Sequence, residues 1–370
     1  NWLDVFILLP IILLGLHRLL TGKGQIIYYV ALTCLFVQNY YFGYMTAIFL
    51  IIWTLVQLSR LKGQKLKRFV NFTLVSILSA LSSLFMLLPT YLDLKTHGET
   101  FTNIVNLKTE DSWYLDFFAK NLVGSFDTTK FGSIPMISVG LVPLILALLF
   151  FTLKSIKPIV KLSYSLFFTL IISSFYLQPL NLFWQGMHAP NMFLYRYAWV
   201  LSIGIIYLAA ETVVRLDQIN LKHFTLVISF LFIGFLSTYF FKNHYDFLVD
   251  VNFLLTLEFL IAYFILFIVI LGYKSSYKWI TSTIVIFSLL EVGIHTYYQV
   301  QGLSDEWHFP SRSNYEEKLS EIDSLVKSTA ESNDSFYRME RLLPQTGNDS
   351  MKFNYNGISQ FSSIRNRASS

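Results

Sequence analysis

Charged residues are scarce in this chain. Asp, Glu, Lys and Arg make up 14% of the 370 residues, whereas they make up roughly 25% of an average soluble domain. Hydrophobic residues reach 54%, with 35 Phe and 22 Tyr in the chain. Because such a chain would expose a large apolar surface to water, we exclude a soluble globular protein as the starting hypothesis.

Cysteine and the common nucleotide and zinc motifs are also nearly or wholly missing. The single cysteine, Cys34, lies within an apolar run, which excludes a disulfide within the chain and a cysteine-based metal cluster. The chain has no Walker or dinucleotide glycine motif and no His-Glu-x-x-His motif. The sequence therefore lacks the motifs that usually indicate an ATP-driven protein or a zinc protease.

Long apolar runs occupy most of the chain. Runs of about 17 to 25 residues are long enough to cross a hydrocarbon core as helices, and they lack the period of two that is typical of strands. We therefore predict an all-α polytopic membrane protein with about ten transmembrane helices. The predicted spans are residues 3–20, 25–39, 42–58, 69–91, 134–153, 162–178, 193–210, 224–241, 251–272 and 279–297.

The basic residues between the spans predict the orientation. One set of alternate loops holds 14 Lys and Arg, including Lys274 and Lys278, and the other set holds five. The positive-inside rule places the first set in the cytoplasm. Asp4, the turn at 39–44 and the loop 93–133 then face outward, as do the segment 179–192 and everything after 298. We interpret the net charge of +5 as this topology signal, not as a sign of nucleic-acid binding.

The long outer loop contains a pattern typical of an amphipathic helix. Trp113, Phe117 and Leu122 recur at near-helical spacing beside Asp116 and Lys120. This spacing predicts a helix that lies in the membrane interface. The carboxylates of this loop are interpreted as solvated charges.

The composition changes near residue 298. We predict a transmembrane domain over residues 1–297 and an extracytoplasmic soluble domain of mixed α/β structure over residues 298–370. Its predicted elements are a helix over 315–332 and a strand over 336–343. Because the chain has no initiator Met and no signal peptide, we expect it to be part of a longer protein.

The turn at residues 39–44 is the first candidate site. Asn39, Tyr40, Tyr41, Gly43 and Tyr44 combine an amide, three phenols and a glycine at the outer interface, which suits the face of a sugar or a lipid head group. An aromatic belt has much the same composition. Asn39 and Gly43 favour binding, because a belt requires neither.

The densest polar cluster near the membrane lies between residues 184 and 197. His188 and Asn191 precede Tyr195 and Arg196 at the outer end of a predicted span. An arginine there is costly unless it pairs or snorkels, and a guanidinium can hold a phosphate by two contacts. The alternative is a snorkelling anchor beside tyrosines.

Acidic residues in and near the spans are the third group of candidates. Asp4 could hold a hydroxyl or a cation, or could simply stabilise the start of a helix. Glu291 shares a helical face with His295 and is either functional or part of a buried structural hydrogen bond. Glu211 and Glu258 are further intramembrane acids, which are functional hypotheses by default.

Several strings resemble the YfhO family of bacterial membrane proteins, and the likeness extends over essentially the whole chain. The most specific are Asn-Tyr-Tyr-Phe-Gly-Tyr at 39–44 and Gly-Ile-Ser-Gln-Phe-Ser-Ser at 357–363. Trp-Leu-Asp at 2–4, Leu-Leu-Pro-Ile-Ile-Leu-Leu-Gly-Leu at 8–16 and Phe-Tyr-Arg-Met-Glu at 336–340 add to the likeness.

The resemblance implies a glycosyltransferase of the C-type (GT-C) fold in the cell membrane of Gram-positive bacteria. It would move a sugar from a polyprenyl-phosphate carrier, such as undecaprenyl phosphate, onto lipoteichoic or wall teichoic acid. The implied partners are membrane lipid, a donor-synthesising glycosyltransferase and a small flippase. No cofactor is implied, and divalent metal use is left open. The family's acidic catalytic motif lies upstream of Trp2, so the catalytic base is expected outside this chain.

A working site follows from the resemblance and the outward polar residues together. An inverting displacement needs a base for the acceptor hydroxyl and cations for the departing phosphate. We predict that Arg196 binds the carrier phosphate with assistance from His188, and that Asp4 or Glu291 orients the sugar or the acceptor. The residues predicted to line the substrate site are Asn39, Tyr40, Tyr41, Tyr44 and Tyr195.

Two alternative functions remain open at this point. A transporter or flippase of a lipid-linked sugar would also have many spans, but it should concentrate polar residues near the bilayer midplane. In this chain they gather at one interface, which favours the enzyme. A non-catalytic scaffold for envelope assembly, with the extracytoplasmic domain as its working part, is the second alternative.

Overall fold

Helices are the regular secondary structure in the part that a computed structural model describes, which is residues 3–97, 101–272, 278–307, 311–333 and 335–358. Lys274, Trp2 and the tail after residue 358 lie outside these ranges. The helices are α1 Asp4–Leu20, α2 Ile26–Gln38, α3 Tyr40–Arg60, α4 Lys65–Ser82, α5 Leu84–His97, α6 Asp116–Asn121, α7 Leu141–Phe150, α8 Pro158–Tyr176, α9 Gln178–Trp184, α10 Trp199–Val213, α11 Leu221–Phe240, α12 Asp250–Gly272, α13 Lys278–Trp307, α14 Arg312–Glu316, α15 Leu319–Glu331 and α16 Asp349–Lys352.

The predicted all-α membrane class is confirmed, but the count of ten spans is not. Five of the described helices are long and apolar enough to cross a membrane: α3, α8, α11, α12 and α13. The pair α4 and α5, bent by 74°, adds a sixth if it is one span. The predicted spans 25–39, 134–153 and 193–210 contain helices of only 13, 10 and 15 residues. The first of these apolar runs is itself short, and the other two begin with irregular backbone.

The predicted break between α2 and α3 forms, but it is confined to Asn39, and residues 40–44 of the predicted turn are the start of α3. Asn39 alone separates the two helices, with an extended backbone at φ −152° and ψ 96°. Its side-chain oxygen accepts a hydrogen bond from the backbone N–H of Phe42 at 3.0 Å. A single residue with a capping side chain is therefore enough to end one helix and start the next.

The helix that forms in the outer loop is much shorter than the predicted amphipathic helix, and most of its residues are buried. α6 has six residues, four of which are buried. The backbone N–H of Val123 donates to the Thr256 hydroxyl, and that of Gly124 donates to Nδ1 of His295. The interpretation of Asp116 as a solvated charge is wrong, because only 2% of it is exposed. The loop packs against α12 and α13. Its charged side chains bind other groups of the protein.

The chain divides into two compact units, Asn1–Thr90 with Thr100–Glu306 and Tyr91–Glu99 with Trp307–Ser370. In the second unit, Val326 of α15 packs with Phe353 and Tyr355 in a small apolar core. The predicted strand over 336–343 is wrong, because the described part of this unit contains no strand.

The irregular segment over 336–343 makes one backbone hydrogen bond to a neighbouring segment, from Met339 N–H to the carbonyl of Asn356 at 3.1 Å. A strand needs a ladder of such bonds. The mixed α/β character expected for this region is therefore not confirmed.

A close approach between α1 and α2 depends on Gly15. A Cβ atom added there would lie 2.5 Å from the backbone nitrogen of Tyr28. Small residues at helix contacts allow this kind of backbone-to-backbone packing within a membrane. The first two helices can therefore pack at this distance only with glycine at position 15.

We expect Gly15→Ala to destabilise the protein, because backbone atoms cannot move aside as a flexible side chain would. Overpacking of this kind costs roughly 1–3 kcal/mol. The apparent melting temperature in detergent, followed by size-exclusion chromatography, measures the effect. Gly293→Ala is the matched control, since nothing lies within 4 Å of its added Cβ, and it should be neutral or stabilising. Equal melting temperatures for the two variants would contradict the close-packing argument.

Candidate functional site

Arg196 lies where the predicted outward ends of α1, α3 and α10 meet. The ring of Phe6 contacts the rings of Phe42 at 6.3 Å and Trp199 at 6.2 Å. The guanidinium carbon of Arg196 lies 5.3 Å from the centre of the Tyr41 ring. Two of the residues predicted to bind substrate are thus in contact, in a cation–π arrangement.

The segment before Arg196 has an unusual backbone. Met192, Phe193 and Tyr195 have φ values of 93°, 50° and 56°, a region that side chains other than glycine rarely adopt. Each such residue costs on the order of 1–3 kcal/mol and persists only when its surroundings impose it. One imposed contact is the hydrogen bond from Phe193 N–H to the carbonyl of Thr129 at 2.7 Å. The outer loop therefore helps to position Arg196.

Tyr195 does not line an open surface as predicted. Only 3% of the residue is exposed, and its hydroxyl lies close to the side chains of Thr109 and Ser112. Burial raises the pKa of Tyr195 to about 12. The side chain joins the Arg196 segment to residues 109–112 of the outer loop.

The tyrosines of the 39–44 turn are more accessible. Tyr40 and Tyr44 are each 38% exposed, and the Tyr44 hydroxyl donates to the carbonyl of Phe183 at 2.8 Å. Gly43 has a packing reason, because an added Cβ would lie 2.8 Å from the Phe36 ring. Asn39 caps α3, so neither Asn39 nor Gly43 needs a ligand to explain its presence.

His188 lies in a loop held against the start of the outer loop. Its ring centre is 5.3 Å from that of Phe101, and Ala189 N–H donates to the Thr102 hydroxyl at 2.8 Å. The Nδ1 atom of His188 is buried and makes no hydrogen bond within the described residues. A buried polar atom without a partner is uncommon in folded proteins and marks a position of interest.

Glu291 has a structural role. It is 4% exposed, and its two oxygens accept hydrogen bonds from Leu141 N–H and from the Tyr263 hydroxyl, both at 2.7 Å. Leu141 is the first residue of α7, so the carboxylate also faces the positive end of that helix. The alternative reading of Glu291 as part of a buried structural hydrogen bond explains both contacts. Asp4 lies half-buried in the first turn of α1.

The structure contains a cavity that the sequence analysis missed, which we call the outer cavity. It has a volume of about 480 Å³, within the range of roughly 300–1,000 Å³ that is usual for small-molecule sites. It is formed by the outer loop and the connection between α11 and α12. Its lining residues are Asp111, Asp127, Thr128, Gly132, Ile134, His244, Tyr245, Asp246 and Phe247.

A buried ion pair lies at the wall of the outer cavity. Lys120 Nζ is 3.3 Å from Asp127 Oδ2, with side-chain exposures of 5% and 8%. Asp127 also accepts a hydrogen bond from Ile134 N–H at 2.9 Å. Burial lowers the pKa of Lys120, and the Asp127 carboxylate opposes this shift. A desolvated, charge-paired group beside a cavity is a candidate functional group.

Asp116 forms a second buried carboxylate site behind the same cavity. The Tyr245 hydroxyl donates to its Oδ1 at 2.9 Å, and Trp113 N–H donates to its Oδ2 at 2.7 Å. Burial raises the pKa of Asp116 to about 6, although these two hydrogen bonds oppose the shift. The carboxylate is thus close to its titration point at mildly acidic pH.

Asp111 links the outer cavity to the Arg196 segment. It lines the cavity, is exposed, and lies next to Ser112, whose side chain is close to the Tyr195 hydroxyl. Burial of its carboxyl group, and then the charge of Glu110, raise the pKa of Asp111. The residue next to Arg196 in the chain is therefore close to the loop segment that contributes a carboxylate to the outer cavity. Within the described ranges, no group of three His, Cys, Asp or Glu side chains is arranged to hold a metal ion.

No pattern in the sequence indicated the Lys120–Asp127 pair. The two residues are seven apart, and irregular backbone follows the short helix α6 between them, so no helical or strand period relates them. The one available signal was the presence of charged residues in an otherwise aromatic and apolar stretch around residues 113–126. The sequence analysis attributed that signal to an amphipathic helix.

A family model, described as bacterial membrane protein YfhO, matches residues 1–370. The chain therefore belongs to the YfhO family, which confirms the resemblance seen in the sequence. Neither the curated proteins nor the solved structures gave a match.

The titration of Asp116 predicts how stability depends on pH. Its folded-state pKa of about 6 lies above the ordinary 3.8, so the folded protein binds the proton more tightly than the unfolded chain. Stability should therefore fall as pH rises from about 4 to about 6 and change little from this group above that. Melting temperatures across this range should fall less steeply for Asp116→Asn than for the wild type. Asp246→Asn, at an exposed carboxylate, is the control and should keep the wild-type slope. Parallel slopes for all three proteins would contradict the assignment.

Proposed function

We propose that this member of the YfhO family is a membrane glycosyltransferase that works at the outer face of the cell membrane. It takes a sugar from a polyprenyl-phosphate carrier and places it on an envelope polymer such as lipoteichoic or wall teichoic acid. The observation that carries the proposal is that Tyr195, the chain neighbour of Arg196, packs against the loop segment that contributes Asp111 to the outer cavity.

Arg196 suits the leaving group of this reaction. As the bond between the sugar and the carrier breaks, negative charge develops on the phosphate oxygens. A guanidinium can bind such an oxyanion by two parallel hydrogen bonds and remains charged at every physiological pH. Its contact with Tyr41 and its imposed backbone support a preorganised position, which is what charge stabilisation in a transition state requires. His188 assists at the same phosphate in this proposal.

The outer cavity suits the acceptor. The acceptor hydroxyl oxygen attacks the anomeric carbon, its proton passes to a carboxylate, and the phosphate leaves with the electrons of the old bond. Asp111 is exposed at the cavity wall on the Arg196 side and orients the hydroxyl in this proposal. The base itself is expected in the family's upstream acidic motif. Glu291 is left out of the proposed site because both its oxygens bind other groups of the protein.

The sugar lies between these two groups in the proposed arrangement. Tyr40 and Tyr44 are partly exposed beside Tyr41, and aromatic rings can pack against the apolar face of a sugar. Asp4, in the first turn of α1, holds a sugar hydroxyl in this proposal. The proposed partners are the lipid-linked donor, the glycopolymer acceptor, and the transferase and flippase that supply the donor, with no cofactor.

The test replaces Arg196 in the protein expressed in its own membrane. Arg196→Gln should lower sugar transfer to the polymer by roughly a hundredfold, the usual cost of removing one preorganised charge-stabilising donor. Arg196→Lys should retain part of the activity, because lysine keeps the charge but loses the two-point contact. Sugar on isolated teichoic acid and transfer from radiolabelled polyprenyl-phosphate sugar are the two measurements.

Arg18→Gln provides the matched control, since it makes the same charge change at an exposed position near the opposite end of α1. It should leave transfer unchanged. If Arg196→Gln glycosylates the polymer as well as this control does, Arg196 is not at the donor phosphate. Accumulation of lipid-linked sugar on the cytoplasmic side in cells lacking the protein would instead support a flippase.

A further inference from the structure

A cavity of about 320 Å³ lies at the other end of the molecule, between α1, α3 and α10. We call it the first inner cavity. Most of its wall is apolar and includes Leu13, Leu16 and Trp53, while Arg60 and Glu211 are its charged lining residues. It opens near the C-terminal ends of these helices, where the Lys and Arg count predicts the cytoplasm.

Arg60 is anchored but keeps hydrogen-bonding capacity. Its Nη1 donates to the hydroxyls of Tyr164 at 3.2 Å and Tyr207 at 3.1 Å, and its Nη2 donates to Glu211 at 2.6 Å. The other oxygen of Glu211 pairs with Arg215 at 2.7 Å. Two arginines thus share one carboxylate and leave a net positive charge. A guanidinium has five N–H donors, and within the described residues three of those of Arg60 are used.

A second inner cavity adjoins the first. It has a volume of about 500 Å³, and it shares Leu20 and Thr21 with the first one, so the two flank the end of α1. Lys67 and Arg68 are its charged lining residues. Arg68 also donates to the carbonyl of Leu20 at 2.5 Å, which places its positive charge at the boundary between the two cavities.

The combined lining is apolar along the helices and basic at one end. The two cavities are lined by three basic residues, Arg60, Lys67 and Arg68, and by one carboxylate, that of Glu211. The net charge of the lining is therefore positive. Basic pockets between helices at the cytoplasmic surface are typical binding sites for anionic lipid head groups. The apolar walls match acyl chains, which a free phosphate ion does not have.

We propose that the two inner cavities bind one anionic glycerophospholipid of the cytoplasmic leaflet. Its phosphate lies near Thr21 between Arg60 and Arg68, and its two acyl chains follow the apolar walls of the two cavities. Two adjacent cavities on either side of one helix end, each with several leucines in its wall, favour a lipid with two chains over a polyprenyl phosphate with one. This site is separate from the proposed catalytic site and does not depend on it.

Native mass spectrometry of the purified, delipidated protein tests the charge argument. The probes are phosphatidylglycerol, phosphatidylcholine with the same chains, and a polyprenyl phosphate. Phosphatidylglycerol should bind most tightly, and Lys67→Glu should weaken it by about tenfold. Lys65→Glu is the matched control, because Lys65 is an exposed residue of the same helix that does not line either cavity. Its binding should equal that of the wild type.

A second pair of variants tests the chain position. Leu14 lines the first inner cavity, whereas Ile11, one turn away on the same helix, does not. Leu14→Trp should reduce phosphatidylglycerol binding severalfold, and Ile11→Trp should not. Size-exclusion profiles and melting temperatures identify any variant that fails to fold. If Lys67→Glu fails to fold, the milder Lys67→Gln replaces it. Three results would overturn the proposal. They are equal binding of the two phospholipids, tighter binding of polyprenyl phosphate, and equal effects within both variant pairs.

Discussion

The irregular backbone of the outer loop has to find hydrogen-bond partners inside a largely apolar molecule, and much of the first unit follows from this constraint. In lipid, an unpaired N–H or carbonyl costs several kcal/mol. Side chains on neighbouring helices supply partners: Thr256 for Val123, His295 for Gly124 and Glu291 for Leu141. Polar residues within these apolar helices are therefore explained first by the loop that they hold.

This arrangement connects structure to the proposed chemistry. Once the loop is fixed, Thr129 can bind Phe193 and hold the segment that carries Arg196 in an otherwise unfavourable backbone conformation. The same loop contributes Asp127, which is paired with the buried Lys120, to the wall of the outer cavity. One network of structural hydrogen bonds thus positions both the cation proposed for the donor and the cavity proposed for the acceptor.

The two ends of the molecule differ in their charges. At the predicted outward end, the outer cavity is lined by the carboxylates Asp111, Asp127 and Asp246. At the predicted cytoplasmic end, the charged residues that line the inner cavities are mainly basic and include Arg60, Lys67 and Arg68. The excess of Lys and Arg that orients a membrane protein is therefore also the basis of the anionic-lipid preference that we propose for the inner cavities.

The sequence by itself determined the helical membrane class, the turn at Asn39 and the family, because apolar run length and local capping are properties of neighbouring residues. Run length and capping do not reveal irregular backbone within an apolar run. Short helices such as α7 were therefore predicted as full spans. Only the tertiary structure decided that Asp116 is buried, that Glu291 caps a helix and that Lys120 pairs with Asp127. Those contacts depend on the path of irregular backbone between distant elements, which no periodicity in a single sequence encodes.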